Sequence, residues 1–245
     1  MKLREIGIKV YYEPEIYGIS ETNYNNREEY LRNCQKYYRD NILLSDRAFR
    51  MQTRNTSSFF SRLLYEHFKN MQYPFCKVII SCCKSEKHIG KIAELDGIAE
   101  VKVLYDYCLF ADKSDDSKKR DTLDIIMRGL NCISESYGID MKPFNEIESM
   151  IVAEDYQNKW VWKTKWDPRR TYNAKIIIEH EVNEAIIRLR IEDKNGNAVF
   201  EKALVKAKPD EWDYSFFLGK LLWKSAKEFC LLDKNNNAVG IWYDK

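Results

Sequence analysis

The stretch from Ala174 to Val205, AKIIIEHEVNEAIIRLRIEDKNGNAVFEKALV, carries the pattern that decides the fold. Two β-rich runs flank Asn195-Gly196, a dipeptide suited to the positive φ angles of a two-residue type I′ hairpin turn. Such a turn sets the register: Ile191 opposite Phe200, Arg190 opposite Glu201, Leu189 opposite Lys202 and Ile187 opposite Leu204. Because side chains alternate across a strand, Ile187, Leu189, Ile191, Phe200 and Leu204 share one face, interrupted by Lys202. Arg188, Arg190, Glu192 and Glu201 take the other. Upstream, Glu181-Val182-Asn183-Glu184 closes a second hairpin that pairs Ile178 with Ile187 and Ile176 with Leu189. Both turns lead to one antiparallel meander with an apolar side and a charged side.

The apolar side requires a cover, and the sequence that follows predicts a helical one. Pro209-Asp210 introduces Glu211 to Leu231, with Asp210 as N-cap and acids in the first turn. Phe217, Leu218, Leu221, Leu222, Ser225, Ala226 and Phe229 recur at three- and four-residue spacing, the stripe of an amphipathic helix. A last strand is expected from Ala238 to Tyr243.

Toward the N-terminus the texture changes. Ile6, Ile8, Val10 and Tyr12 alternate with less apolar residues and predict a strand over residues 5 to 12. A helix is expected from about Asn26 to Leu44, and a second from Thr56 or Ser57, either able to cap it, to the stop before Pro74. Cys76 to Cys83 and Ile98 to Ala111 read as paired core strands. Ser114 to Ser117 leads into a helix ending at Tyr137 with Gly138 as its C-cap, and Pro143 opens another to about Tyr156. The expected class is therefore α+β: a helix-rich N-terminal half with a short sheet, then an antiparallel meander covered by an amphipathic helix. The change falls near Gln157-Asn158 and predicts subdomains 1–157 and 158–245, or one continuous domain.

Composition bounds the function. The 245 residues are 44% apolar and 32% charged, an ordinary globular balance. A net charge of +2 gives no whole-chain electrostatic footprint for nucleic acid, so any such contact requires a local patch. No window approaches the roughly 18 apolar residues of a membrane span, and the N-terminus lacks the apolar run of a signal peptide. A cytoplasmic protein is expected. The odd number of cysteines, scattered through apolar runs, predicts reduced thiols.

Several constellations invite a chemical reading. Asp193-Lys194-Asn195-Gly196-Asn197 and Asp233-Lys234-Asn235-Asn236-Asn237 resemble each other and carry hard-cation oxygens. They fail the EF-hand pattern, with Ala198 and Ala238 where it requires glycine, and turn chemistry accounts for the resemblance. Cys76, Cys82, Cys83 and His88 lack the spacing that wraps zinc. His180, between Glu179 and Glu181, is expected as a satisfied histidine at the rim of the apolar face. Glu100-Val101-Lys102 on a strand matches the acid and lysine of a metal-dependent nuclease, but Glu192-Asp193-Lys194 meets the same loose pattern. Phosphate-cradling GxxxxGK[ST] and GxGxxG are absent, as is GxSxG, and no cofactor is expected.

Lys159 to Tyr172, KWVWKTKWDPRRTY, is the surface candidate. As a regular strand it places Trp160, Trp162 and Trp166 on one face and Lys163 and Lys165 on the other. One expectation is a fourth strand adding three tryptophans to the core. The other is an exposed turn in which Trp166, Arg169, Arg170 and Tyr172 form an anchor, since these residue types dominate binding hot spots and also stack on bases. The functional expectation is a non-enzymatic protein that covers a protein partner, as immunity proteins and phage-borne inhibitors do. A metal-dependent nuclease using Glu100 and Lys102, or nucleic-acid binding without catalysis, is the alternative.

Overall fold

The computed structural model describes residues 1–244 and divides the chain into two compact units, Met1–Tyr156 and Gln157–Lys245. Each has its own buried apolar core.

The first unit is built on a four-stranded sheet of β1 (Glu5–Val10), β2 (Lys77–Cys83), β3 (Ile92–Leu95) and β4 (Ile98–Leu104), in the order β1-β2-β4-β3. β1, β2 and β4 run parallel and β3 is antiparallel to β4. A parallel pair needs a long crossover. Here it is α1 (Arg27–Tyr37), a π-helical turn at Tyr38–Ile42, and α2 (Leu43–Phe68). Asn26 caps α1 by accepting from the Glu29 amide at 2.8 Å. Thr56 and Ser57, read from the sequence as caps of a second helix, are instead buried within α2, and residues 45–55, between the two expected helices, are helical as well. The polar residues there mask the helical period. Asp46, for one, is 1% exposed, and its carboxylate accepts from the Val10 amide at 2.9 Å, the Tyr38 hydroxyl at 2.7 Å and Arg50 at 2.9 Å.

After β4 come α3 (Asp115–Tyr137) and α4 (Lys142–Ala153). Ser114 caps α3, and Gly138, at φ +64°, ends it. Ile8, Ile80 and Val101 belong to the core that the helices complete. A β-carbon on Gly129 of α3 would lie 2.8 Å from Ile80, so glycine permits that close approach.

The second unit holds two antiparallel sheets. One runs β5-β6-β7-β8, formed by β5 (Lys159–Trp166), β6 (Tyr172–His180), β7 (Ala185–Asp193) and β8 (Ala198–Ala207). Ile176 faces Leu189 and Ile178 faces Ile187, as the second hairpin requires. In the first, Ile191–Phe200, Arg190–Glu201 and Leu189–Lys202 pair as expected, but Ile187 pairs with Val205, because a bulge at Leu204 intervenes. Gly240 leaves room for that leucine: a β-carbon there would lie 2.5 Å from it.

The turn itself differs from the type I′ expectation. Asp193 N–H donates to Asn197 O and Gly196 N–H to Asp193 O. Gly196 has φ +85°, while Asn195 is not in the left-handed region. This is a three-residue loop, longer by one than expected, and a bulge at Val199 restores the register.

The apolar side of the meander is covered by a second sheet rather than by a helix. Helix α5 stops after Glu211–Tyr214, a 3₁₀ turn follows at Ser215–Phe217, and the chain enters β9 (Lys220–Ser225) and β10 (Glu228–Leu232). β10 pairs with β9 on one side and with β11 (Ala238–Tyr243) on the other. Leu221, Trp223, Phe229, Leu231 and Trp242 pack with Ile176, Ile178, Ile187 and Leu189. The cause lies in a second period within the same residues. Leu221 and Trp223 alternate inward against exposed Lys220, Leu222 and Lys224, and Trp223, Cys230 and Leu231 have no place in the helical stripe.

Candidate functional site

The expected anchor lies in the second unit, in the turn joining β5 to β6. Asp167 organises it. Only 2% exposed, its carboxylate accepts from the Tyr172 amide at 2.8 Å and the Arg169 amide at 3.0 Å. Its own N–H donates to Tyr172 O, and Arg170 N–H returns to Asp167 O at 3.0 Å. Pro168 supplies the φ of a first turn position, and Arg170 closes the loop at φ +55°, a costly conformation for a side-chain-bearing residue. The turn is thus held from inside, and Arg169 and Arg170 project from it exposed, with no ion pair among the described residues.

Trp166 is 43% exposed at the start of this turn. Tyr172 sits apart from it, half-buried, its ring edge-on to Trp242 at 5.2 Å. The structure therefore leaves Trp166, Arg169 and Arg170 exposed at one turn and puts Tyr172 into the packing of the unit.

The tryptophans do not share one face. A bulge between Val161 and Lys163 inserts Trp162, so Lys163 pairs with Ile176, Lys165 with Ala174 and Trp166 with Asn173. Beyond the bulge the parity of the strand is reversed. Trp160 and Trp162 pack on the core, Lys163 and Lys165 turn toward the side on which Ile176 and Ala174 lie, and Trp166 turns away. Sequence patterning has no means of locating an inserted residue, which is why the regular-strand reading put these lysines on the wrong side.

Glu100 and Lys102 lie on β4 in the first unit. The Glu100 carboxylate is bound by Lys9 Nζ at 2.9 Å and the Ser81 hydroxyl at 2.7 Å. Burial alone would raise its pKa, but the hydrogen bonds from Lys9 and Ser81 and the charges of Lys9 and Lys102 hold it below the usual carboxylate range. The Lys102 ammonium lies 4.6 Å from the centre of the Tyr11 ring. Nearby, Glu13 is spent on the amides of Lys84 (2.6 Å) and Ser85 (3.2 Å). Among the described residues no group of three His, Cys, Asp or Glu side chains is placed to share a metal ion.

Two features escaped the sequence reading. At the carboxyl ends of β2 and β4, Lys84, Tyr105, Asp106, Asp124 and Arg128 line a depression of about 620 Å³. Its cations are compensated: Lys84 lies 3.4 Å from Asp106, and Arg128 lies 2.9 Å from Asp124 while donating to Leu104 O at 2.8 Å. In the second unit, Lys163, Lys165 and Lys220 meet around a cleft of about 520 Å³. Neither could be found from spacing, since each draws on segments far apart in the chain.

The candidate metal loops are used up by turn geometry. Asp193 Oδ1 accepts from the amides of Asn195 and Asn197, and Asp233 Oδ1 from those of Asn235 and Asn237. His180 is fully buried and its Nε2 lies 3.1 Å from Pro209 O. Comparison of the chain with protein-family models, curated proteins and solved structures gives no match.

Proposed function

We propose that this chain is a non-enzymatic protein of the cytoplasm that binds and covers a protein partner, in the manner of an immunity protein or inhibitor, with Trp166, Arg169 and Arg170 as its anchor. The observation that supports this reading is the turn at Asp167. A buried carboxylate and four hydrogen bonds fix the backbone beneath side chains that are themselves exposed. Ordering of the loop is then already complete before a partner arrives, which removes part of the entropic cost of association. Exposed Trp and Arg on such a base are the residue types from which interface hot spots are made. Among the described residues no helix is long and apolar enough to cross a membrane.

The test is site-specific photo-crosslinking from position 166 in the native host, followed by identification of the captured protein and a binding titration with it purified. Arg169→Ala/Arg170→Ala is expected to weaken that complex by about 2 kcal/mol or more, roughly thirtyfold in Kd. Capture of no protein, or a partner whose affinity is unchanged by the double substitution, would remove this reading.

A further inference from the structure

We infer that the cleft between β5 and β9 is the part of this binding surface that reads the partner's chemistry, and that it takes an acidic segment with an apolar side chain. The inference rests on the binding reading above and names what the partner must present. Three exposed lysines line the cleft: Lys163 and Lys165 from one sheet and Lys220 from the other. They meet there because of the bulge at Trp162, which turns two β5 lysines onto the inward side of their sheet. The edges are tied together by Lys165 Nζ donating to Leu221 O and by Trp223 Nε1 donating to Lys165 O, both at 2.9 Å.

Charge distinguishes this place from the central strands of the sheet. On the central strands each base has a carboxylate: Lys175 with Glu192 at 2.6 Å, Arg188 with Glu179 at 2.9 Å, and Arg190 with Glu192 at 3.1 Å. Among the described residues Lys163, Lys165 and Lys220 have no ion pair, and no acid lines their cleft. Three like charges converging on one cavity repel one another, and an anion removes that cost. The same strand then runs into the turn that bears Arg169 and Arg170, which places the cleft next to the anchor along the chain.

The remaining lining selects the kind of anion. Leu221, Leu222 and Leu232 provide an aliphatic floor, and Leu222 is 39% exposed. Among the described residues no aromatic ring lines the cleft to stack on a base, and the Trp162 ring has the Lys163 ammonium over it at 5.4 Å. The volume holds a side chain or two of a peptide. An aliphatic side chain on the floor, flanked by carboxylates on the lysines, satisfies both halves of the lining.

The test titrates the whole chain with a peptide alternating glutamate and leucine, with the same peptide carrying lysine for glutamate, and with an oligothymidylate, at low and moderate salt. The acidic peptide is expected to bind saturably and the basic one not at all. Its affinity should fall at least about tenfold as salt rises and at least about tenfold in Lys163→Glu/Lys220→Glu. Lys202→Glu/Lys208→Glu, an equal charge change on β8 and just beyond it, should lose only a small fraction of that, and circular dichroism confirms that both variants fold. Tighter binding of the oligothymidylate, lost in Lys163→Glu/Lys220→Glu, would overturn the inference in favour of nucleic acid. Absence of peptide binding, with self-association of Lys163→Glu/Lys220→Glu, would overturn it in favour of lysines that merely guard the β5 edge. If a partner crosslinked from position 166 keeps its affinity for Lys163→Glu/Lys220→Glu, the inference fails while the binding reading stands.

Discussion

Asp46 shows how much one side chain can hold together. Its carboxylate joins the end of β1 to α2 through Val10, and to the preceding π-helical turn through Tyr38. Burial acts to raise its pKa, but hydrogen bonds from Arg50, Val10 and Tyr38 outweigh it and hold the group below the usual value. A carboxyl depressed in the folded state stabilises fully above its unfolded pKa of about 4 and ceases to do so as pH falls through the lower folded value. Glu100 acts in the same direction. Urea unfolding of the first unit should therefore show a midpoint that declines below about pH 4. In Asp46→Asn that decline should be shallower, and stability at neutral pH lower by roughly 2 kcal/mol, because Arg50 and Tyr38 lose a charged acceptor. A variant with the parent's pH profile would show that Asp46 is not the group responsible.

Gly196 poses a simpler residue-scale question. A β-carbon there would meet nothing within 4 Å, so the cost of adding one comes from φ +85° alone. Gly196→Ala should cost about 1 kcal/mol by thermal unfolding. The matching loop puts Asn236 at φ +66°, the side-chain-bearing type best able to take that conformation. The likeness of the two segments is thus a likeness of turns, each built on an aspartate that accepts from two following amides.

At the scale of elements, what the sequence could disclose depended on whether one period or two fitted the same residues. The meander was legible because two turns and an alternating face agreed, and α3 because Ser114 and Gly138 bracket a single stripe. Residues 211–231 satisfied the helical spacing as well as the strand spacing, and only the unplaced Trp223, Cys230 and Leu231 spoke for strands. Tertiary packing decided between them, since the meander offers a sheet-shaped surface to cover. Gly219, at the entry to β9, is where that choice is enforced. A β-carbon there would lie 2.2 Å from the carbonyl oxygen of Asp233, a contact with backbone that cannot rotate away. Gly219→Ala should destabilise the second unit by about 2–3 kcal/mol in urea. An unchanged midpoint would mean that β9 can move off β10 at little cost.

On the scale of the whole molecule, the two cores share no residue, and each unit closes its own sheets. Fragments 1–156 and 157–245 should each unfold cooperatively, with calorimetric and van't Hoff enthalpies in agreement. A fragment that is unfolded alone would show that the units depend on each other. The candidate site was legible only in part. Trp166, Arg169 and Arg170 announced themselves by type and by a Pro-containing turn, but Lys220 comes from a different sheet and Trp162 is an inserted residue, and neither relation has a signature in local spacing. What the sequence displays is chemistry along the chain; a cleft is chemistry across it.

The tip of the β7–β8 hairpin has one further property. Its three-residue loop and the bulge at Val199 offset each other, so a two-residue loop without a bulge would leave Ile191 opposite Phe200 all the same. Chain length at this tip is therefore decoupled from the strands below it. Loss of Val199, which removes the bulge and keeps every pair, behaves as a silent deletion. The same loss at Lys202, which stands opposite Leu189, would throw the remaining side chains of β8 onto the opposite face. That tip is therefore the natural place to splice in a reporter or an epitope.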